Sequence, residues 1–239
     1  MSETDSMEVQ LSERQKAAQD EAERRERDWR IDYAPANQLT AEERMERDRR
    51  NEARNAAWER QQREQHLELV RSVLPPRYRD AEIDTPLPAG SCYLVGKTGV
   101  GKTHAAAATA LAVGAEAGNV LWPNITAFLA AVKEGYNEGD RMPPPEELVD
   151  GVQLVVLDDL GAERLTDWSR GELYHLVNVI YESQVRLIVT SNVTPDELVR
   201  TLGQRCVSRL VEECQIVTLD GPDHRKAKAA ERMKAAGNA

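Results

Sequence analysis

From residue 90 onward the chain alternates between two kinds of text. Short apolar runs, "SCYLVG", "NVLWP", "VQLVVLDDL", "RLIVTSN" and "CQIVTLD", are separated by helix-length stretches. The first stretch runs from Lys102 to near Gly118; "ITAFLAAVKEGY", "DWSRGELYHLVNVIYES" and "PDELVRTLGQRCVSRLVEE" follow. Continuous apolar runs belong to strands buried on both faces, and strands that take turns with helices build parallel βαβ units. Few folds satisfy that pattern. It predicts a three-layer α/β domain, a five-stranded parallel sheet with helices on both faces. "EGDRMPPPEE" reads as a proline-rich surface loop, and no internal repeat is present.

Residues 1–74 are different material. "ERQKAAQDEAERRERDWR" and "EERMERDRRNEARNAAWERQQREQHLELVRSVL" are rich in Glu, Arg, Gln and Ala, mostly strong helix formers. Ser12 with Gln15, and Thr40 with Glu43, have the spacing of capping boxes. "YAPAN" interrupts the two runs, and Pro75 with Pro76 stops the second. Apolar positions are sparse before Leu67, Leu69, Val70, Val73 and Leu74, so most of this segment buries little. Two descriptions fit: a solvated helical extension, or a helical arm whose isolated large residues, Trp29, Met45 and Trp58, dock on a partner. The expected division is a charged helical extension, residues 1–74, and an α/β domain, residues 75–239.

The 41 acidic and 31 basic residues give a formal charge of −10. An acidic chain does not coat nucleic acid with its whole surface, so any DNA contact has to come from a local basic patch. No apolar run reaches the ~18 residues of a membrane span. The opening "MSETDSMEVQ" is acidic and polar, unlike a secretory signal. Cys92, Cys206 and Cys214 have neither disulfide-framework nor zinc spacing and are expected to fill core space. His66, His104, His175 and His224 show no metal spacing either. A soluble, cytoplasmic protein without a membrane partner is expected.

Gly96 to Thr103 reads GKTGVGKT and fits the phosphate-loop pattern G-x-x-x-x-G-K-[ST]. Glycines let the backbone turn tightly and bring consecutive N–H groups onto phosphate oxygens. The helix that starts here adds its positive end. At average composition the pattern arises by chance in about one chain in a hundred of this length, and here a strand precedes it and a helix follows. Gly96, Gly99, Val100, Gly101, Lys102, Thr103 and the adjoining His104 are therefore candidate nucleotide-binding residues. Lys102 is placed to reach the β- and γ-phosphates, and Thr103 to offer its hydroxyl to Mg2+. The third apolar run ends in two carboxylates, which suit a metal ion and an attacking water beside a phosphate loop. Asp158 is assigned to Mg2+ and Asp159 to orienting the water. The fourth run ends in Thr190, Ser191 and Asn192, where a polar side chain can bond the γ-phosphate or the water.

Taken in order, GKTGVGKT, LVVLDDLGAE, LIVTSN and LGQRCVSRL resemble the AAA+ ATPases of the DnaC/IstB group, the bacterial and phage helicase loaders. "LPPRYRDAEI" also resembles the segment that introduces the ATPase domain in that group. The resemblance implies a P-loop AAA+ domain without a sizeable C-terminal lid, since only "KAKAAERMKAAGNA" follows Arg225. It implies ATP as the nucleotide, hydrolysed with Mg2+. Lys102 and Thr103 fall on the Walker A lysine and threonine, and Asp158 and Asp159 on the Walker B pair, where many AAA+ proteins carry Glu second. Asn192 falls on the sensor-one residue, Arg209 (or Arg205) on the arginine finger, and Arg225 on the sensor-two arginine. A finger that serves a neighbouring subunit implies a homo-oligomer. The plainer alternative for Arg205 and Arg209 is a solvated helix face with an intrahelical pair to Glu212 or Glu213.

The expected function is ATP-dependent loading of a replicative DNA helicase. Residues 1–74 would bind the helicase, and the ATPase domain would bind ATP and single-stranded DNA. Lys133 and Tyr136 are candidates for strand contact through phosphate charge and base stacking, although Ile125, Phe128, Leu129 and Val132 make an ordinary amphipathic helix the preferred reading. The rivals are an IstB-like transposition helper, a nucleotide-gated binding module with little turnover, and a small-molecule P-loop kinase. The kinase lacks an acceptor pocket or lid insert in the text and leaves "TSN" and "RCVSRL" without a role.

Overall fold

The chain forms two compact units, Met1–Gln61 and Gln62–Ala239. The computed structural model describes residues 3–116, 118–138, 143–162 and 165–226. The side chain of Tyr136 and the basic tail from residue 227 lie outside the described residues.

The first unit is a helical hairpin. Helix α1, Glu3–Tyr33, and helix α2, Ala41–Val73, flank a 3-10 turn at Ala36–Gln38, with α2 belonging to this unit as far as Gln61. Because α1 starts at Glu3, Ser12 lies inside it and does not cap it. Thr40 does cap α2: the Glu43 N–H donates to Thr40 Oγ1 at 3.2 Å, and the Thr40 N–H donates to Glu43 Oε2 at 2.9 Å. Ile31 and Leu39 are buried. Around them run charge pairs from α1 to α2, Arg27 to Glu46 at 2.9 Å, Arg50 to Asp28 at 2.6 Å, and Arg30 to Glu43. Hydrogen bonds from Arg50 and then Arg27 hold the Glu46 carboxyl below its ordinary range. Exposed pairs of this kind add little stability; they fix which residues of the two helices face each other. Trp29, Tyr33, Met45 and Trp58 stay exposed, with the Trp29 and Tyr33 rings 5.9 Å apart.

The second unit contains all five expected strands, β1 Cys92–Val95, β2 Val120–Leu121, β3 Leu154–Leu157, β4 Arg186–Ser191 and β5 Gln215–Thr218. They pair in parallel in the order β2-β3-β4-β1-β5. The connecting helices are α3 Lys102–Ala115, α4 Ile125–Glu138, α5 Pro145–Val149, α6 Asp167–Glu182, α7 Pro195–Leu202 and α8 Gln204–Glu213. Successive strand residues enter opposite layers. Cys92, Leu94, Leu154, Val156 and Ile188 meet the alanine face of α3, together with Val70 and Leu74 from the end of α2. Tyr93, Val95, Val155, Leu157, Leu187 and Val189 meet the helices of the other face through Phe128, Leu173, Leu198 and Leu210. The methyl side chains of α3 let that helix lie close to the sheet. Ile125, Phe128 and Leu129 of α4 are buried, as an amphipathic helix requires.

Two local features differ from the sequence expectation. The proline-rich stretch yields α5, which Pro145 starts at a position where its missing N–H costs nothing. Residues 195–213 read as one helix but form two, because Gly203 adopts φ +84° and breaks the run. The three cysteines are buried free thiols, and burial pushes Cys206 and Cys214 up to about 12. Among the described residues no helix is long and apolar enough to cross a membrane.

Candidate functional site

Strand order builds the site. Strand β4 lies between β1 and β3, so the residues after these three strands converge at one carboxyl edge of the sheet. Register pairs Val95 with Ser191 and Leu157 with Val189. Continued by one residue, it sets Gly96 beside Asn192 and Asp158 beside Thr190.

The phosphate-loop sequence turns from β1 into α3. Gly99 and Gly101 have φ +88° and +102°. A Cβ at Gly99 would also collide with the Asp223 carboxylate, so a side chain is excluded there twice over. Helix α3 starts directly after the loop with no side-chain cap, which leaves its first N–H groups and its positive end to an anion. Lys102 is 7% exposed. Its ammonium donates to Gly96 O at 2.8 Å, to Lys97 O at 3.0 Å and to Asn192 Oδ1 at 2.8 Å. Burial pushes its pKa down and the charge of Arg225 adds to that, against the opposing pull of Asp159 and Asp158.

The acidic side is one connected network. Thr103 Oγ1 donates to Asp158 Oδ1 at 2.9 Å, and Thr190 Oγ1 donates to the same oxygen at 2.6 Å. The Asp159 N–H donates to Thr190 Oγ1 at 2.8 Å. Asp159 itself has φ +56°, a left-handed conformation that Asp tolerates better than most residues. Its Oδ1 accepts from Asn192 Nδ2 at 2.8 Å. Asn192 therefore links Lys102 to Asp159, with its oxygen on the ammonium and its nitrogen on the carboxylate. Thr103 and Asp158 fit Mg2+ only as two members of an octahedral shell, the rest of which nucleotide phosphates and water would supply. Consistent with that, no cluster of three or more His, Cys, Asp or Glu side chains able to hold a metal occurs among the described residues.

The other candidates fall in three places. The Arg225 charge bears on Lys102, and its N–H donates to Asp223 Oδ1 at 3.0 Å. The His104 ring turns away from the loop, its Nε2 2.8 Å from Glu82 O and its edge toward Tyr78. Anything His104 offers a phosphate must come from its main chain. Arg209 stands apart from the cluster: its Nε donates to Asn178 Oδ1 at 2.6 Å, and its guanidinium lies over the rings of Tyr174 and Tyr181 at 5.4 and 5.2 Å. Arg205 is exposed. Sequence reasoning missed the segment after β5, where the His224 N–H donates to Gly99 O at 3.0 Å and Asp223 abuts the loop. The only available signal was the word "GPDHR". It also left Thr190 without a specific task, and the Thr190 hydroxyl ties the Asp158 carboxylate to the Asp159 main chain. A separate groove of about 530 Å3, lined by Val199, Val207, Val211 and Glu212 among others, holds none of these residues.

A parallel sheet in this order, with a phosphate loop after β1, an acidic pair after β3 and a polar residue after β4, makes the second unit an α/β P-loop domain of the AAA+ type. The chain belongs to the family of IstB-like ATP binding proteins, whose model matches residues 4–232. It is similar to an ATP-binding protein in an insertion sequence of Mycobacterium tuberculosis, with 28% identity over 165 residues, covering 67% of this chain and 62% of that one. It is also similar to the replicative helicase loader DnaI of Bacillus subtilis, with 31% identity over 107 residues, 44% of this chain and 34% of that one. This chain therefore spans less than two thirds of the length of either relative. The fold matches that of a DnaC helicase loader, with a TM-score of 0.53 and 23% identity over 61% of this chain and 100% of the other.

Proposed function

We propose that this protein hydrolyses ATP and uses the nucleotide state to load a replicative DNA helicase onto single-stranded DNA in the cytoplasm. The observation that supports hydrolysis is the continuous path from Lys102 through Asn192 to Asp159. In this reading Lys102 and the α3 N-terminus hold the phosphates, with Gly96, Gly99, Val100 and Gly101 shaping the loop. Asp159 and Asn192 orient the attacking water, and Arg225 and Arg209 meet charge on the γ-phosphate. Thr103 and Asp158 would hold Mg2+, which neutralises phosphate charge when bound. Asp159→Asn is expected to keep ATP affinity and lower steady-state turnover by about 100-fold, the range for losing a positioned base or water-orienting group. Turnover at the parental rate would remove Asp159 from the mechanism.

The hairpin is the proposed helicase-binding part. Its exposed Trp29, Tyr33, Met45 and Trp58 stand on an otherwise charged surface, and large aromatic residues of this kind dominate binding energy at interfaces. Removing residues 1–61 spares Val70 and Leu74, which belong to the core beside α3. The shortened chain is expected to bind ATP with unchanged affinity and to lose capture of a purified replicative helicase. Retained capture would move the interface into the P-loop unit. One observation favours a second reading, a transposition helper that partners a transposase on duplex DNA: the insertion-sequence relative covers 67% of this chain, the helicase-loader relative 44%. Capture of a transposase in place of the helicase in the same experiment would select it.

A further inference from the structure

Arg209 carries a charge that its own helix does not neutralise. Glu212 and Glu213 lie at the helical spacings that favour an ion pair with it. Both are engaged elsewhere. Glu212 bears on the Tyr181 hydroxyl and pushes its pKa up, and Ser91 Oγ donates to Glu213 at 2.9 Å. What holds Arg209 comes from α6. Tyr174, Asn178 and Tyr181 are spaced four and three residues apart, which places them along one face of that helix. Seven residues rise about 10.5 Å along a helix. Arg209 lies 5.4 Å from the first ring and 5.2 Å from the second, so the guanidinium sits between them, above Asn178. Asn178 takes only the inner nitrogen, Nε, at 2.6 Å. Among the described residues the two outer nitrogens have no hydrogen-bond or ion-pair partner. Those nitrogens form the forked end that matches two oxygens of one phosphate. Arg205, one turn earlier on the same helix, is exposed and has no such setting.

We infer that Tyr174, Asn178 and Tyr181 are positioning residues for Arg209, presenting its outer nitrogens to the γ-phosphate of ATP bound by a second copy of this chain. The inference rests on the finger role proposed above. It adds the reason that this arginine is preorganised: the two rings flank its guanidinium and the amide holds Nε, while the outer nitrogens keep no partner among the described residues. An arginine held this way loses little side-chain freedom on meeting a phosphate, whereas a mobile one pays that cost at every encounter.

The test uses the full chain in steady-state ATP turnover. Tyr174→Leu with Tyr181→Leu removes both rings and keeps apolar bulk. It is expected to lower kcat by about 10- to 100-fold, the scale of a ~1 Å misplacement, while KM for ATP shifts less than about threefold. Tyr174→Phe with Tyr181→Phe restores the rings without the hydroxyls and is expected to recover most of the lost kcat. In an Arg209→Ala background the leucine pair should lower kcat no further, since residues acting through one group are not additive. Asn178→Ala, which disturbs packing less, is the second variant and should lower kcat by about tenfold. Parental kcat in the leucine pair and in Asn178→Ala would overturn the inference, with the finger role intact. An equal loss from the leucine pair with and without Arg209 would assign the tyrosines a role in folding and also overturn it. Unchanged kcat in Arg209→Ala alone would overturn the finger role and this inference together.

Discussion

Lys102→Ala is expected to weaken ATP binding by about 10- to 100-fold while the protein stays folded. The affinity part follows from the lysine's place. One charge-assisted hydrogen bond in a sheltered site is worth ~1.5–3 kcal/mol, which corresponds to that range in Kd. The stability part follows from its pKa. Burial depresses the Lys102 pKa, so the ammonium is less favourable in the fold than in the unfolded chain. By linkage the charged form costs stability at every pH below its folded value, and replacing it with a neutral side chain relieves that cost. Against this stand three lost hydrogen bonds, to Gly96 O, Lys97 O and Asn192 Oδ1. The carbonyls among them lie at the loop, where water can replace the ammonium. The two effects oppose, so the melting temperature should move by only a few degrees. A fluorescent ATP analogue titrated into both proteins, with a thermal melt of each, measures both quantities. Parental affinity in the variant would detach the loop from nucleotide binding, and an unfolded variant would show that the lysine serves the fold.

Much of the second unit was legible because its signals are local. Five continuous apolar runs carry their own burial, and GKTGVGKT carries its own turn geometry. The site's internal wiring was less legible. Thr190 and Asp158 lie 32 positions apart, and only the placement of β4 between β1 and β3 brings them together. Spacing along a chain does not encode that order. The same limit hid the seat of Arg209, whose partner Asn178 is 31 positions away on another helix. His104 shows the opposite error. Its neighbour Thr103 belongs to the motif, but a helix turns adjacent side chains about 100° apart, and the imidazole points at Glu82. Ser12 marks no helix boundary, because Met7, Glu8, Gln10 and Leu11 before it also favour helix and α1 runs through it.

Arg209→Ala is expected to lower turnover by about a thousandfold, the usual scale for a missing arginine finger, and the loss should be repairable by another subunit. The geometry motivates the second clause. Within its own chain the described contacts of Arg209 are all to α6, and none reaches the network of Lys102, Asn192 and the two aspartates. A guanidinium anchored there would serve its own site only by giving up its amide and both rings. Serving a neighbour's site requires only that the neighbour be present. Head-to-tail contacts between identical chains repeat one interface, so each site is completed by the next chain. Lys102→Ala spoils the phosphate side of an interface and Arg209→Ala the finger side. In an equal mixture about a quarter of the interfaces pair an intact Lys102 with an intact Arg209, half of a half for random assembly. The mixture should then recover up to that share of parental turnover, although each variant alone is nearly inactive. Sedimentation of the same samples checks that mixed assemblies form. If they form and the mixture stays as inactive as either parent, Arg209 does not act across an interface, and each chain must complete its own site without it.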